Sequence, residues 1–162
     1  ISGGKGLRGP QNSALVLCTE EMVERCIPHA APQHSHGRSM KTTKEDMIGL
    51  VKAVEIYVGL DHDMITRGWQ AHVTQVTEAV SGIRGVSAAV DEAGYSEDIP
   101  VARLDINAAL LGKSAADVAA ALAAGDPEIR VTQDRDWLSI NPQFLEEGEI
   151  PLVIERLRQE LT

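Results

Sequence analysis

The chain is poor in aromatic residues, in cysteine and in positive charge. Aromatic side chains make up 3% of its 162 residues, so alanine, valine, leucine and isoleucine have to build the core. The two cysteines, Cys18 and Cys26, lack CxxC or metal-site spacing, and their apolar or helical surroundings predict buried thiols. With 15 basic and 24 acidic residues, the net charge of -9 disfavours broad binding to nucleic acid or anionic membranes.

Long apolar runs are missing as well. No stretch of about 18 apolar residues and no secretory signal pattern occurs, which indicates a cytoplasmic protein with no membrane partner. The length is that of about one domain. The sequence starts at Ile1, without an initiator methionine and inside a motif, and we therefore expect a C-terminal fragment of a longer protein.

The most unusual segment is the first eleven residues, ISGGKGLRGPQ. Lys5 stands among four glycines, with Ser2 three positions before it and Arg8 three positions after it. A nucleotide phosphate loop would need Ser or Thr after the lysine, and a dinucleotide fingerprint would need a helix after the glycines. Neither condition is met. The segment favours a lysine on a tight turn that can attack an aldehyde when its amine is neutral, and a solvated lysine is the alternative.

The next part of the sequence predicts a strand, a helix and a loop. The apolar run SALVLC at 13–18 is typical of a buried strand. Thr19 can cap a helix that ends by Ile27, because a proline follows and disfavours helical backbone before it. The residues at 29–42 are rich in Pro, His and Ser and are predicted to form a long loop.

Two long helices follow, beginning at Thr43 and Asp61 and separated by a break at Gly59 and Leu60. Gly82 and Gly85 mark the end of the second helix. Helical spacing predicts the inward-facing side chains. They are Met47, Leu50, Val51, Val54 and Val58 on the first helix, and Ile65, Trp69, Val73, Val76, Val80 and Ile83 on the second.

Beyond residue 85 the pattern predicts a small α+β layer. Strands at 86–90 and 99–106 precede a helix that Ser114 caps, and a hairpin at 129–140 precedes an amphipathic helix at 149–161. The order β-β-α-β-β-α is typical of an antiparallel sheet that helices cover on one face.

Residues 2–11, together with HGRSMKTTKE at 36–45, resemble the cofactor-lysine region of fold-type I pyridoxal-phosphate enzymes. The chain is most similar to the group around bacterial selenocysteine synthase, which includes D-glucosaminate-6-phosphate ammonia-lyase-like proteins. The resemblance implies the C-terminal part of an α/β, aminotransferase-like enzyme. Its parts would be the end of the large cofactor-binding domain, a connecting helix and a small α+β domain, at 1–60, 61–85 and 86–162. The large-domain strands that would supply the pyridine-nitrogen acid and the ring-stacking residue are not in the sequence.

The resemblance also implies roles for individual residues. Lys5 would be the Schiff-base lysine for pyridoxal 5'-phosphate, Ser2 a ligand of its phosphate, and Arg8 a neutraliser of a phosphate or a substrate carboxylate. Arg38 would approach an anionic group, either in its own subunit or in the site of a neighbouring subunit. His36 would line that anion site.

The implied reaction is α,β-elimination of an amino-acid-like, anionic or phosphorylated small molecule, catalysed by a homodimer or higher oligomer. Two alternatives stay open. One is selenium transfer onto seryl-tRNA, which the net charge of -9 disfavours. The other is a catalytically incomplete fragment whose long helices act only in association.

Two further sets of residues have a weaker functional signal. Three histidines lie in the loop after Cys26: His29, His34 and His36. They lack the i, i+4 helical spacing of metal ligands, so we predict no metal site there. Arg103 can reach a substrate carboxylate or pair with Asp105, and the ion pair is at least equally compatible with the sequence.

Overall fold

The structure is a computed structural model that describes residues 1–96 and 99–162, with side chains described at 1–92 and 99–162. It divides into two compact units, Ile1–Asp61 and His62–Thr162. Among the described helices, none combines the length and the apolar character that crossing a membrane requires.

The first unit contains two helices and two closed loops. Helix α1 spans Glu20–Cys26 and helix α2 spans Lys44–Val58. Thr43 begins α2 as predicted, because its hydroxyl accepts a hydrogen bond from the Asp46 N–H at 3.1 Å. Short 3-10 turns at Ile27–His29 and Arg38–Met40 flank the long loop between the helices.

The predicted buried strand at 13–18 is not formed. Only Ala14 makes a bridge, to Ser2, and the Val16 and Leu17 side chains are 77% and 72% exposed. The prediction of buried thiols is also wrong, because Cys18 and Cys26 are both exposed. Both errors have one cause: the described residues supply neither a neighbouring strand nor an apolar layer over this segment.

Helix α2 buries much less of its apolar face than its spacing predicts. Leu50 and Ala53 are its buried residues, and the Lys5 loop packs over them. Met47, Val51 and Val58 were predicted to face inward and are 53%, 59% and 74% exposed. The periodicity correctly identifies an apolar face, but the loop is too small to cover it.

The second unit is the α+β layer that the sequence predicts. Its four strands form one antiparallel sheet in the order β1-β2-β4-β3. The elements in chain order are α3 (His62–Val80), β1 (Val86–Ser96), β2 (Ile99–Ile106), α4 (Ala108–Leu111), α5 (Ala115–Ala123), β3 (Thr132–Asp134), β4 (Trp137–Ile140) and α6 (Glu149–Leu161). Relative to the prediction, β1 is longer, β3 begins three residues later, and α4 is additional.

One face of this sheet meets the helices and forms the core. Leu104 of β2 lies opposite Ala88 of β1 and Leu138 of β4, so one row of side chains points to the same side. The core cluster joins strand, α3, α5 and α6 side chains: Val73, Val76, Val80, Ala102, Leu104, Ile106, Ala115, Val118, Leu122, Leu138, Ile140, Ile150, Val153, Leu157 and Leu161. The predicted inward faces of α3 and α6 are therefore confirmed at these positions.

Candidate active site around Lys5

The first fifteen residues form a loop that hydrogen bonds close at its base. The Gly3 N–H donates to the Ser13 carbonyl at 2.8 Å, and the Leu15 N–H donates to the Ile1 carbonyl at 2.8 Å. Gln11 Nε2 donates to the Gly4 carbonyl at 3.0 Å across the same loop. These bonds join the two sides of the segment and leave Lys5 at its tip.

The tip is a tight turn with two cations. The Arg8 N–H donates to the Lys5 carbonyl at 2.8 Å, and Arg8 takes a positive φ of 53°. The Gly9 N–H then donates to the Gly3 carbonyl at 2.7 Å. Both cationic side chains are exposed, and neither forms an ion pair with a described residue. The Lys5 amine is thus accessible on an ordered backbone.

The loop is held on one side of helix α2. A Cβ at Gly3 would lie 3.0 Å from Leu50 Cδ1, and a Cβ at Gly9 would lie 3.1 Å from the Ala53 Cβ. Ser13 is buried, and its hydroxyl donates to the Pro10 carbonyl at 2.6 Å. The prediction that Leu50 faces inward is confirmed, but sequence reasoning missed the contacts of Leu50 and Ala53 with this loop. Their signal, two small or apolar residues three apart on a helix, is too common to identify a loop contact.

The second candidate group lies in the loop between α1 and α2. The Gly37 N–H donates to the His29 carbonyl at 2.7 Å, and the Arg38 N–H donates to the Ser35 carbonyl at 3.0 Å. His29 Nδ1 also hydrogen-bonds Ser35 Oγ at 2.9 Å. His36 is exposed and Arg38 half-buried.

The structure brings Ser2, Lys5 and Arg8 together in one loop, with Ser2 bridged to Ala14 near its base. It places His36 and Arg38 in another loop, and no hydrogen bond or ion pair among the described residues joins the two loops. The anion-binding role of these two residues remains a prediction.

Arg103 is engaged by its own strand. Its guanidinium donates to Asp105 at 2.9 to 3.3 Å and lies 4.8 Å from the ring centroid of Trp137. The hydrogen bond to Asp105 raises the pKa of Arg103 above its ordinary value. The ion-pair interpretation is therefore the one that the structure shows. Among the described residues, no cluster of three His, Cys, Asp or Glu side chains could hold a metal ion.

Charge is distributed unevenly between the two units. Residues 1–61 contain seven basic and seven acidic residues, whereas residues 62–162 contain eight basic and seventeen acidic residues. The whole net charge of -9 therefore belongs to the second unit. The unit that carries Lys5 and Arg8 is neutral, so the overall charge is not an argument against a local anion site there.

Comparison with known proteins gives two curated relatives. D-glucosaminate-6-phosphate ammonia lyase of Salmonella typhimurium (strain 14028s / SGSC 2262) is 32% identical over 161 residues, which are 98% of this chain and 42% of that protein. A 5'-C-glycyluridine monooxygenase-decarboxylase of Streptomyces sp is 26% identical over 165 residues, covering 98% of this chain and 40% of the relative. The chain thus spans about two fifths of the length of the curated relatives it matches.

The solved structure of a D-glucosaminate-6-phosphate ammonia-lyase matches the fold with a TM-score of 0.68 at 32% identity. The match covers 98% of this chain and 42% of the solved chain. No protein-family model matches the sequence. Both units therefore have counterparts in a lyase chain that is more than twice as long.

Proposed function

We propose that this chain carries the cofactor-anchoring lysine of a pyridoxal-phosphate-dependent lyase and that this lysine is Lys5. The observation that carries the proposal is the geometry of the loop at 1–15. An exposed primary amine without an ion pair sits on a backbone that hydrogen bonds close on both sides. The similarity to an ammonia lyase over 98% of the chain supports the same assignment.

The residues around Lys5 fit the groups of pyridoxal phosphate. An aldehyde needs a primary amine, and a phosphate needs a hydroxyl and a cationic fork, which Ser2 and Arg8 would supply from the same loop. Ser2 and Arg8 are both exposed and neither is engaged in an ion pair among the described residues, so their polar atoms are accessible. When bound, the cofactor would supply an electron sink for the negative charge that develops at the substrate α-carbon.

The chain's own residues would bind and orient the cofactor and the substrate, and they would transfer a proton. The Lys5 amine would hold the cofactor at its aldehyde carbon, and Lys5 would regain a free amine when the substrate is bound. The free Lys5 Nζ would then accept the proton from the substrate α-carbon as a general base. Loss of the β-substituent and hydrolysis would release a keto acid and ammonia. Positive charge at Arg8 and Arg38 would suit an anionic or phosphorylated amino-acid-like substrate.

The two relatives support the proposed lysine site more strongly than they support any particular reaction. They have different named reactions, yet both match the same 98% share of this chain. We infer that the shared part contributes the lysine scaffold and that elimination, rather than another reaction, depends on groups elsewhere. We further propose a cytoplasmic homodimer or higher oligomer with Arg38 directed to a neighbouring subunit's anion. The acidic excess of the second unit disfavours tRNA as a substrate.

Borohydride reduction tests the assignment of Lys5. The whole chain is incubated with pyridoxal phosphate, reduced, digested and mapped by mass spectrometry. We expect Lys5 to carry most of the covalent label and Lys5→Ala to lose it. Lys44→Ala is the matched control, since Lys44 is also exposed but lies on helix α2, and it should leave the labelling unchanged. Equal labelling of Lys5, Lys41 and Lys44 would contradict the proposal.

A further inference from the structure

A cavity of about 630 Å³ lies at one end of the small sheet, within the second unit. The start of β1, the end of β2 and the turn before β4 meet there, and helix α4 forms a further wall. This volume is in the range of sites that bind small organic molecules. The candidate residues of the Lys5 site all lie in the first unit, so the proposed function does not explain this cavity.

Hydrogen bonds fix the shape of this cavity. The Asn107 N–H donates to the Gly85 carbonyl at 2.8 Å and joins the end of β2 to the start of β1. The Ile106 N–H donates to the Asp136 carbonyl at 2.7 Å and joins β2 to the turn before β4. The Asn107 side chain accepts from the Leu110 N–H at 3.2 Å and begins helix α4. A Cβ at Gly85 would lie 3.1 Å from the Leu110 Cβ, so α4 packs directly on the start of β1.

The polar part of the cavity carries one uncompensated negative charge. Asp105 and Asp136 both line it, but the Arg103 guanidinium donates to Asp105 at 2.9 Å and offsets that charge. The Asp136 carboxylate and the Ser87 hydroxyl, which also lines the cavity, form no side-chain hydrogen bond or ion pair with a described residue. No lysine, arginine or histidine is among the described lining residues. A free carboxylate and a hydroxyl can accept the hydrogen bonds of an ammonium group, whereas an anion would be repelled.

The remaining walls of the cavity are largely apolar. Val86, Ala108 and Leu110 line it, and Leu110 is 49% exposed. An aliphatic chain that packs on Leu110 would remove apolar surface from water. We propose that this cavity binds a small aliphatic monoamine, with its ammonium group on Asp136 and its chain against Leu110.

The charge of the cavity distinguishes this ligand from other cations. One uncompensated carboxylate matches one positive charge, because Arg103 already occupies Asp105. A divalent metal ion would need more oxygen ligands than one free carboxylate, and the described residues contain no cluster of three His, Cys, Asp or Glu side chains that could hold it. The apolar walls favour an amine with a hydrocarbon body over a compact inorganic cation.

Titration of the whole chain with n-hexylamine at neutral pH, followed by NMR of the backbone amides, tests the proposal. Pyridoxal phosphate is left out, because its aldehyde would itself react with the amine. The amide signals of Ser87, Asn107 and Leu110 should shift together, with a Kd on the order of 1–10 mM. Hexan-1-ol has the same chain without the charge and should bind about fivefold more weakly. Hexanoate should leave these amide signals unchanged, because the carboxylate of Asp136 repels it.

Variants of the lining residues test which groups bind the amine. Asp136→Asn keeps the shape of an exposed side chain and removes its charge, so hexylamine should bind about fivefold more weakly. Asp134→Asn is the matched control, since Asp134 is an exposed carboxylate of the same hairpin that does not line the cavity, and its Kd should stay within about twofold of the unchanged chain. Leu110→Ala should weaken binding about threefold through lost apolar contact.

Several results would overturn the proposal. They are equal binding of hexanoate and hexylamine, equal Kd values for Asp136→Asn and Asp134→Asn, shifts confined to amides outside the cavity, and no shifts at all up to about 50 mM amine. The dispersed amide spectrum of each variant shows in the same experiment that it is folded. None of these results depends on cofactor labelling of Lys5, so the proposed function is judged separately.

Discussion

The loop that presents Lys5 depends on the absence of a side chain at Gly3. A methyl group there would overlap the Ser13 hydroxyl and lie 3.0 Å from Leu50 Cδ1 and 3.1 Å from the Ser13 carbonyl oxygen. Gly3 also makes two bonds across the loop, one to the Ser13 carbonyl at 2.8 Å and one from the Gly9 N–H at 2.7 Å. We therefore predict that Gly3→Ala forces the two sides of the loop apart.

The size of the effect follows from these two bonds. A backbone hydrogen bond contributes about 1 kcal/mol net, so losing both costs about 2 kcal/mol and raises the population of the open loop about 30-fold. The Gly9 amide should exchange with solvent faster by that factor. The ordered presentation of Lys5 should be lost together with it, and selective labelling of Lys5 by pyridoxal phosphate should decline.

Hydrogen exchange measured by NMR at Gly9 checks the prediction directly. Gly6→Ala is the matched control, because Gly6 lies in the same loop and a Cβ there would have no atom within 4 Å. The control should exchange and label like the unchanged chain. If Gly9 exchange in Gly3→Ala stays within about threefold of the control, the closing bonds do not hold the loop and the reasoning fails.

Three further predictions concern the second unit. Leu104 is fully buried, so Leu104→Ala should lower the free energy of unfolding by about 2–5 kcal/mol in a urea titration. Leu152 is 45% exposed, so the control Leu152→Ala should lower it by less than about 1 kcal/mol. Ser114→Ala removes a capping box and should cost about 1 kcal/mol. The hydrogen bond from the Ser114 hydroxyl also lowers the pKa of Asp117 in the folded chain. The ionised carboxylate therefore stabilises the fold at pH values above the ordinary aspartate pKa, and this stabilisation is lost as the pH falls through the pKa of the folded chain. The stability difference between the unchanged chain and Asp117→Asn should persist at neutral pH and vanish in strong acid; a difference independent of pH would contradict this.

The elements of the small sheet were predictable because their signals are local. Strand β2 has its predicted bounds, Ile99–Ile106, and so does α6, Glu149–Leu161. Ser114 begins its helix through contacts with residues only three positions away. Short connections make β1 a neighbour of β2 and β3 a neighbour of β4, but β4 rather than β3 lies beside β2.

Burial in the first unit was not predictable in the same way. Spacing identifies which side chains share an apolar face, as it does for Met47 and Val51, but it does not identify what covers that face. In the same way, the apolar run at 13–18 does not indicate that Leu17 is 72% exposed. The grouping of Ser2, Lys5 and Arg8 is local and followed from the motif. The packing of Gly3 against Leu50 joins positions more than forty residues apart, and no local pattern specifies it.

The scarcity of aromatic side chains determines how the two units can be observed. Both tryptophans, Trp69 and Trp137, belong to the second unit, and Tyr57 is the sole aromatic residue of the first. Tryptophan fluorescence therefore reports the unfolding of the second unit only. The Arg103 guanidinium lies 4.8 Å from the centroid of the Trp137 ring and contributes to the emission wavelength of that tryptophan. Unfolding of the first unit does not change this fluorescence. A tryptophan introduced into the first unit would give each unit a spectroscopic signal of its own.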